Sequence, residues 1–157
     1  MGTRVARGEA TDLVGEVEVE LTLLARHALR TTQRDPGRAL DRSGYQLLGR
    51  LDHGPLSLRQ LADAFGLDQS TVNRQVNALR RDGLVERTAD PSGGTALLIR
   101  PTARGRRALR HDRAVARAQV ATVLESWSQS EISSLQQALR KFNTSIEELA
   151  GTPWPRD

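Results

Sequence analysis

Five polar side chains carry the clearest chemistry in this 157-residue chain: Gln69, Ser70, Asn73, Arg74 and Asn77. Wound at 3.6 residues per turn, residues 69–81 gather Val72, Val76 and Leu79 into a narrow apolar stripe and leave those five outside it. An arginine fork pairs with two acceptors on guanine, Asn and Gln amides pair with adenine, and Ser70 or Thr71 can take a phosphate oxygen near a helix amino terminus. The alternative is an ordinary solvated face, and the surrounding elements decide between the two.

Those surroundings spell two short helices joined by a glycine. Ser57 and Gln60 have the spacing of a capping box opening residues 57–66, Gly66 permits a left-handed turn, and Asp68 caps the next helix. Gly83 ends that helix, and the hydrophobic period then falls to two. Residues 84–89 and 95–100 read as strands joined by the turn-rich Asp90, Pro91, Ser92, Gly93 and Gly94. A helix-turn-helix followed by a hairpin is a winged helix. Arg59, with Ser57 and Gln60, stands where a preceding helix meets backbone phosphate, although Ser57 and Gln60 have capping as an equal role. Arg80 and Arg81 suit the helix carboxyl end by charge.

Longer helices flank this lobe. Leu13, Val17, Leu21, Leu24 and Ala28 recur at threes and fours, predicting a helix over 11–32 capped by Thr11 or Asp12 and ended by Asp35, Pro36 and Gly37. A second, over 41–52, shows Tyr45, Leu48 and Leu51 on one face; Gly44 and Gly49 inside it each lower helix propensity by about 1 kcal/mol, so packing must hold it. Thr102 caps a long helix expected to reach Trp127, arginine-rich in its first half from Arg104 to Arg117. A capping box at Ser128 and Glu131 opens the last helix. Its Ile132, Leu135, Leu139, Phe142, Ile146 and Leu149 form a two-residue heptad seam. Residues 1–10 and 151–157 are expected to be flexible. The fold class is thus mainly α with a small β-hairpin wing. A winged helix-turn-helix lobe spans 41–101, a connecting helix 102–127, and a helical dimerisation region combines 11–33 with 118–150, whose apolar stripes one lobe cannot bury.

Charge is distributed in the same pattern. The chain carries a net +4, and 22 of its 23 basic residues are arginine, Lys141 being the exception. Residues 1–56 balance eight arginines against eight acids, residues 57–117 carry a net +6, and residues 118–157 a net −2. A basic middle between neutral and acidic ends fits a nucleic-acid reader, and a solvated arginine-rich helix equally. No cysteine is present, which excludes disulfides, thiolate nucleophiles, thiol-based sensing and cysteine zinc sites. His27, His53 and His111 lack metal-site spacing, and no phosphate-cradling glycine loop, paired carboxylates or Ser-His constellation supports an enzyme. No metal or cofactor is expected. With no apolar run of membrane-spanning length and no signal peptide at the start, the chain is read as cytoplasmic with no membrane contact.

The order and length of these elements resemble the MarR (multiple antibiotic resistance regulator) family of bacterial transcription factors, over about residues 11–150. The resemblance rests on residues 55–62, residues 69–74, the run from Leu79 through Gly83, Leu84 and Val85 to Arg87, Asp90 with Pro91, and the helix start at 102–105. Each recurs in many winged helices; together and in register they carry it. It implies a homodimeric repressor, less often an activator, whose first and last helices interlock between subunits, bound to a palindromic operator in double-stranded DNA and released by a small phenolic or aromatic acid. A ligand pocket between the first, second and fifth helices would draw on His27, Arg30, Tyr45, Arg50 and His111, for which satisfied surface or interface roles are the alternative. The wing departs from the family. The usual tip arginine is absent from Ser92, Gly93, Gly94 and Thr95, so either Arg87 or Arg100 on the strands supplies the minor-groove charge or the recognition helix carries more of the specificity. Two other functions fit the residues: a constitutive or architectural DNA-binding protein without a ligand, and a winged-helix module for an acidic protein partner.

Overall fold

The computed structural model describes residues 3–31 and 37–156, in two units, residues 1–36 and 37–157. The described residues of the first unit form one helix, α1 (Thr3–Thr31). It starts eight residues before the expected cap, so Thr11 and Asp12 lie in its interior and residues 3–10 are helical rather than frayed. The apolar stripe begins only at Leu13, and helical turns ahead of a stripe leave no periodic signal. Every described side chain of α1, residues 12–27, is exposed, including Leu13, Val14, Val17 and Leu24.

In the second unit Asp41 opens α2 (Arg42–Leu51) by accepting the Gly44 amide at 2.7 Å. A short strand, β1 (Leu56–Ser57), leads into α3 (Leu58–Phe65), then α4 (Gln69–Arg81), β2 (Val85–Thr88), β3 (Leu98–Pro101), α5 (Ala103–Val123) and α6 (Gln129–Ala150). The core lies where α2, α3, α4, α5 and the strands converge: Leu47, Leu48, Leu51, Leu61, Val72, Val76, Val85, Ile99 and Leu109 are almost wholly buried. Each such aliphatic side chain contributes about 1.5–3 kcal/mol relative to exposure. That burial outweighs the two glycines within α2.

The sheet order is β1-β3-β2, antiparallel throughout, with Glu86 opposite Arg100, Arg87 opposite Ile99 and Leu56 also opposite Ile99. β1 escaped the sequence reading because two residues are too few to show alternation. β3 begins three residues later than expected. Asp90 closes the tip on itself, accepting the Ser92 amide at 2.9 Å and its hydroxyl at 2.6 Å, and residues 95–97 stay outside the ladder.

α5 stops at Val123, short of the expected Trp127. The capping box of α6 requires extended backbone at Ser128 (φ −69°, ψ 157°), and the chain spends residues 124–127 turning into it. Two contacts seat α5. Gly105 lies against the wing root so closely that a Cβ there would fall 2.0 Å from the Leu84 carbonyl oxygen. Two turns further on, buried Asp112 accepts the amides of Ala39 at 2.8 Å and Leu40 at 3.0 Å, tying the entrance of α2 to α5.

Candidate nucleic-acid interface

The helix-turn-helix is built from caps. Ser57 Oγ accepts the Gln60 amide at 3.2 Å while Gln60 Oε1 accepts the Ser57 amide at 2.9 Å, so both side chains are engaged in starting α3. Arg59, in the same turn, is exposed. Gly66 takes the left-handed conformation (φ 62°, ψ 32°), which lets α3 end and the chain reach Asp68 in two residues. Asp68 then opens α4, accepting the Thr71 amide and hydroxyl at 2.7 Å each and the Ser70 hydroxyl at 2.5 Å. These donors, Ser70 first and then Thr71, hold the Asp68 carboxyl far below its ordinary value. The hydroxyls of Ser70 and Thr71 are therefore committed to the cap in the free protein, and a phosphate would have to exchange with Asp68 for them.

The rest of the polar face remains available. Gln69 and Arg74 are exposed, and Asn73 and Asn77 half-buried. Asn73 Oδ1 accepts from Asn77 Nδ2 at 3.3 Å and from Arg87 Nη2 at 3.4 Å, and Arg74 Nη2 donates to Thr71 Oγ1 at 3.3 Å. Strand alternation separates the two arginines of the wing. Arg87 shares the face of buried Val85, and so reaches α4. Arg100 lies on the other face, where its Nε donates to Glu86 at 2.8 Å. The structure thus brings Gln69, Asn73, Arg74, Asn77 and Arg87 into one patch and leaves Arg100 outside it.

The arginine run of α5 divides by role. Arg106 donates to the Pro101 carbonyl at 2.8 Å and Arg113 pairs with Asp52 at 2.7 Å, both structural contacts. Arg104 Nη1 comes within 3.9 Å of the point where a Cβ on Gly83 would stand, beside the wing root.

The residues considered for a ligand pocket have separate partners. His111 Nε2 bonds the Gly37 carbonyl at 2.8 Å, Tyr45 lies under the Arg38 guanidinium at 5.8 Å, and Arg50 stacks over Trp154 at 5.9 Å. His27 is exposed on α1, and the Arg30 side chain lies outside the described residues. Arg38, which also donates to Gln119 Oε1 at 2.9 Å, joins α2 to α5 in a role the sequence did not mark. Asp112 was legible in hindsight: it is the lone acid within the arginine run, three residues from Leu109 on the buried face of α5. Among the described residues no group of three or more His, Asp or Glu is placed to hold a metal, and no helix is long and apolar enough to cross a membrane.

A doubly capped helix-turn-helix, a polar second helix and a three-stranded wing at its side define a winged helix-turn-helix protein. A model of the MarR family matches residues 40–94, the segment holding α2 through the wing tip. The chain is also 35% identical over 129 residues to an uncharacterized HTH-type transcriptional regulator, YxaD, of Bacillus subtilis (strain 168), covering 81% of this chain and 90% of that one. It belongs to the MarR family of transcriptional regulators. Among solved structures it resembles RV1404 from Mycobacterium tuberculosis (28% identity, 93% of this chain and 97% of that chain, TM-score 0.66). A MarR family regulator from Rhodococcus sp. RHA1, at 22% identity, shares the fold over 91% of this chain and 98% of its own with a TM-score of 0.67.

Proposed function

We propose that the protein is a homodimeric repressor that grips a palindromic DNA operator with α4 in successive major grooves and is released by a small aromatic acid. The observation that carries this reading is the patch of Gln69, Asn73, Arg74, Asn77 and Arg87 on a helix whose opposite side is buried. Its chemistry matches base edges, and the net +6 of residues 57–117 matches phosphate. Arg87, reaching over α4, is the better substitute for the absent tip arginine, because Arg100 is already paired with Glu86.

A second copy of the chain is the partner suggested by uncovered apolar stripes. Every described side chain of α1 is exposed, α6 has no buried residue, and Leu139, Phe142, Ile146 and Leu149 are each at least 40% exposed. In water such stripes drive association. The ligand-free alternatives differ in one measurement. Fluorescence anisotropy with DNA from beside the gene, in excess nonspecific competitor, should give salt-dependent binding that a panel of phenolic acids weakens. Binding without any ligand effect favours a constitutive repressor, and loss of binding to competitor favours a protein-interaction module.

A further inference from the structure

The carboxyl terminus, expected to fray, folds back on the lobe. α6 ends at Gly151 in the left-handed conformation (φ 65°), and Glu147 then gathers the returning strand. Its carbonyl accepts the Thr152 amide at 3.1 Å, its carboxylate accepts the Trp154 amide at 3.2 Å, and both Nη groups of Arg156 pair with the same carboxylate. This hook presents Trp154 to the winged lobe. The indole meets Phe65 edge-on, with ring centroids 5.3 Å apart and planes at 69°, and the Arg50 guanidinium lies over it. Arg50 Nε is buried there with no hydrogen-bond partner among the described residues, so the stack holds it despite an unmade bond. Pro153 and Pro155 line an open groove of about 450 Å³ with Pro55 and Leu56, ahead of α3.

Phe65 is the last residue of α3, next to the Gly66 turn that sets α4. The hook therefore ties the far end of α6 to the helix-turn-helix itself, while the near end of α6 is tied through the turn after α5. At 1.5 Å per residue α6 is about 33 Å long, so a tilt of about 10° at the near end alone displaces the far end by about 6 Å. With no buried residue of its own, α6 has little else to fix its direction. We infer that Trp154, locked by Glu147 and Arg156, is a positioning residue for operator binding: it sets the angle between the α6 seam and α4, and through it the separation of the two α4 helices in a dimer.

This inference rests on the dimer reading above, and the test separates them. Full-length wild type, Trp154→Ala, Trp154→Phe and Glu147→Gln are compared by sedimentation and by titration against a half-site duplex, the full palindrome, and palindromes with one or two base pairs added between half-sites. The expected result for Trp154→Ala is an intact dimer with unchanged half-site affinity, full-site affinity reduced on the order of tenfold as the two-site advantage falls, and a flattened spacing preference. Trp154→Phe should recover most of the loss, and Glu147→Gln should fall between. Unchanged full-site affinity and spacing, or equal loss on half and full sites, overturns the positioning role. A wild type that is monomeric and binds half and full sites alike overturns the dimer reading, and this inference with it.

Discussion

Gly49 and Gly105 both sit inside helices, yet exchanging them for alanine should move stability in opposite directions. In a helix interior alanine is favoured over glycine by about 1 kcal/mol. Around Gly49 no atom lies within 4 Å of an added Cβ, so Gly49→Ala should realise most of that gain. At Gly105 the added carbon meets the Leu84 oxygen at 2.0 Å, the Leu84 carbonyl carbon at 3.0 Å and Leu48 Cδ2 at 3.3 Å. Two of these are backbone atoms, which cannot rotate away. α5 or the wing root must retreat by more than an ångström, and the same Leu84 oxygen accepts the Thr102 amide at 3.0 Å. Losing that bond costs about 1 kcal/mol and overpacking a further 1–3 kcal/mol, against the helical gain of about 1 kcal/mol. Gly105→Ala should therefore be destabilised by about 1–3 kcal/mol, and the pair of variants separated by about 2–4 kcal/mol. Urea unfolding followed by circular dichroism measures both. A Gly105→Ala midpoint at or above that of Gly49→Ala, at unchanged slope, would refute the close approach of α5 to the wing.

Arg74→Ala should weaken operator binding by about 1–3 kcal/mol at fixed salt in an anisotropy titration, with loss concentrated at one base pair if the contact is to a base edge. Asp112→Ala, which strands the amides of Ala39 and Leu40, should cost about 3 kcal/mol in denaturant unfolding, and Asp112→Asn less, because the amide oxygen still accepts one of them. Asp68 has its carboxyl pKa depressed below 3.8 by Ser70 and Thr71, so its cap stabilises α4 fully above that value and the benefit is lost as pH falls through the lowered folded-state pKa. The stability difference between wild type and Asp68→Ala should be constant in the neutral range and shrink below pH 3.8. Glu147, depressed below 4.5 chiefly by Arg156, obeys the same sign, so Trp154 fluorescence should report release of the hook only as pH drops beneath 4.5.

Local chemistry explains what the sequence disclosed. The caps at Ser57, Asp68, Thr102 and Ser128 are written in residue type at fixed offsets, and each forms as its spacing predicts. The buried stripe of α4 follows from its period, and with it the polar face opposite. Long-range partners left no such trace. Asp112 meets amides 72 and 73 residues away, Arg87 reaches Asn73 only because strand register turns it toward α4, and Trp154 meets Phe65, which lies far away in sequence on α3. The last of these lies in a tail whose residues read as flexible, and nothing local in the sequence names its partner. The end of α5 was misread for a related reason: Val120, Val123 and Trp127 continue an apolar rhythm that the chain interrupts to enter the next cap.

The wing tip closes through Asp90 onto its own Ser92, while the paired strands below it are anchored in the core through Val85 and Ile99. Stability and reach are thereby inherited separately. None of residues 89–97 is buried, so lengthening the tip, shortening it or placing an arginine in it should need no repacking of the core, and the root would still aim whatever it carries. A tip without arginine is then a setting of the molecule rather than a loss, and one codon is enough to reverse it.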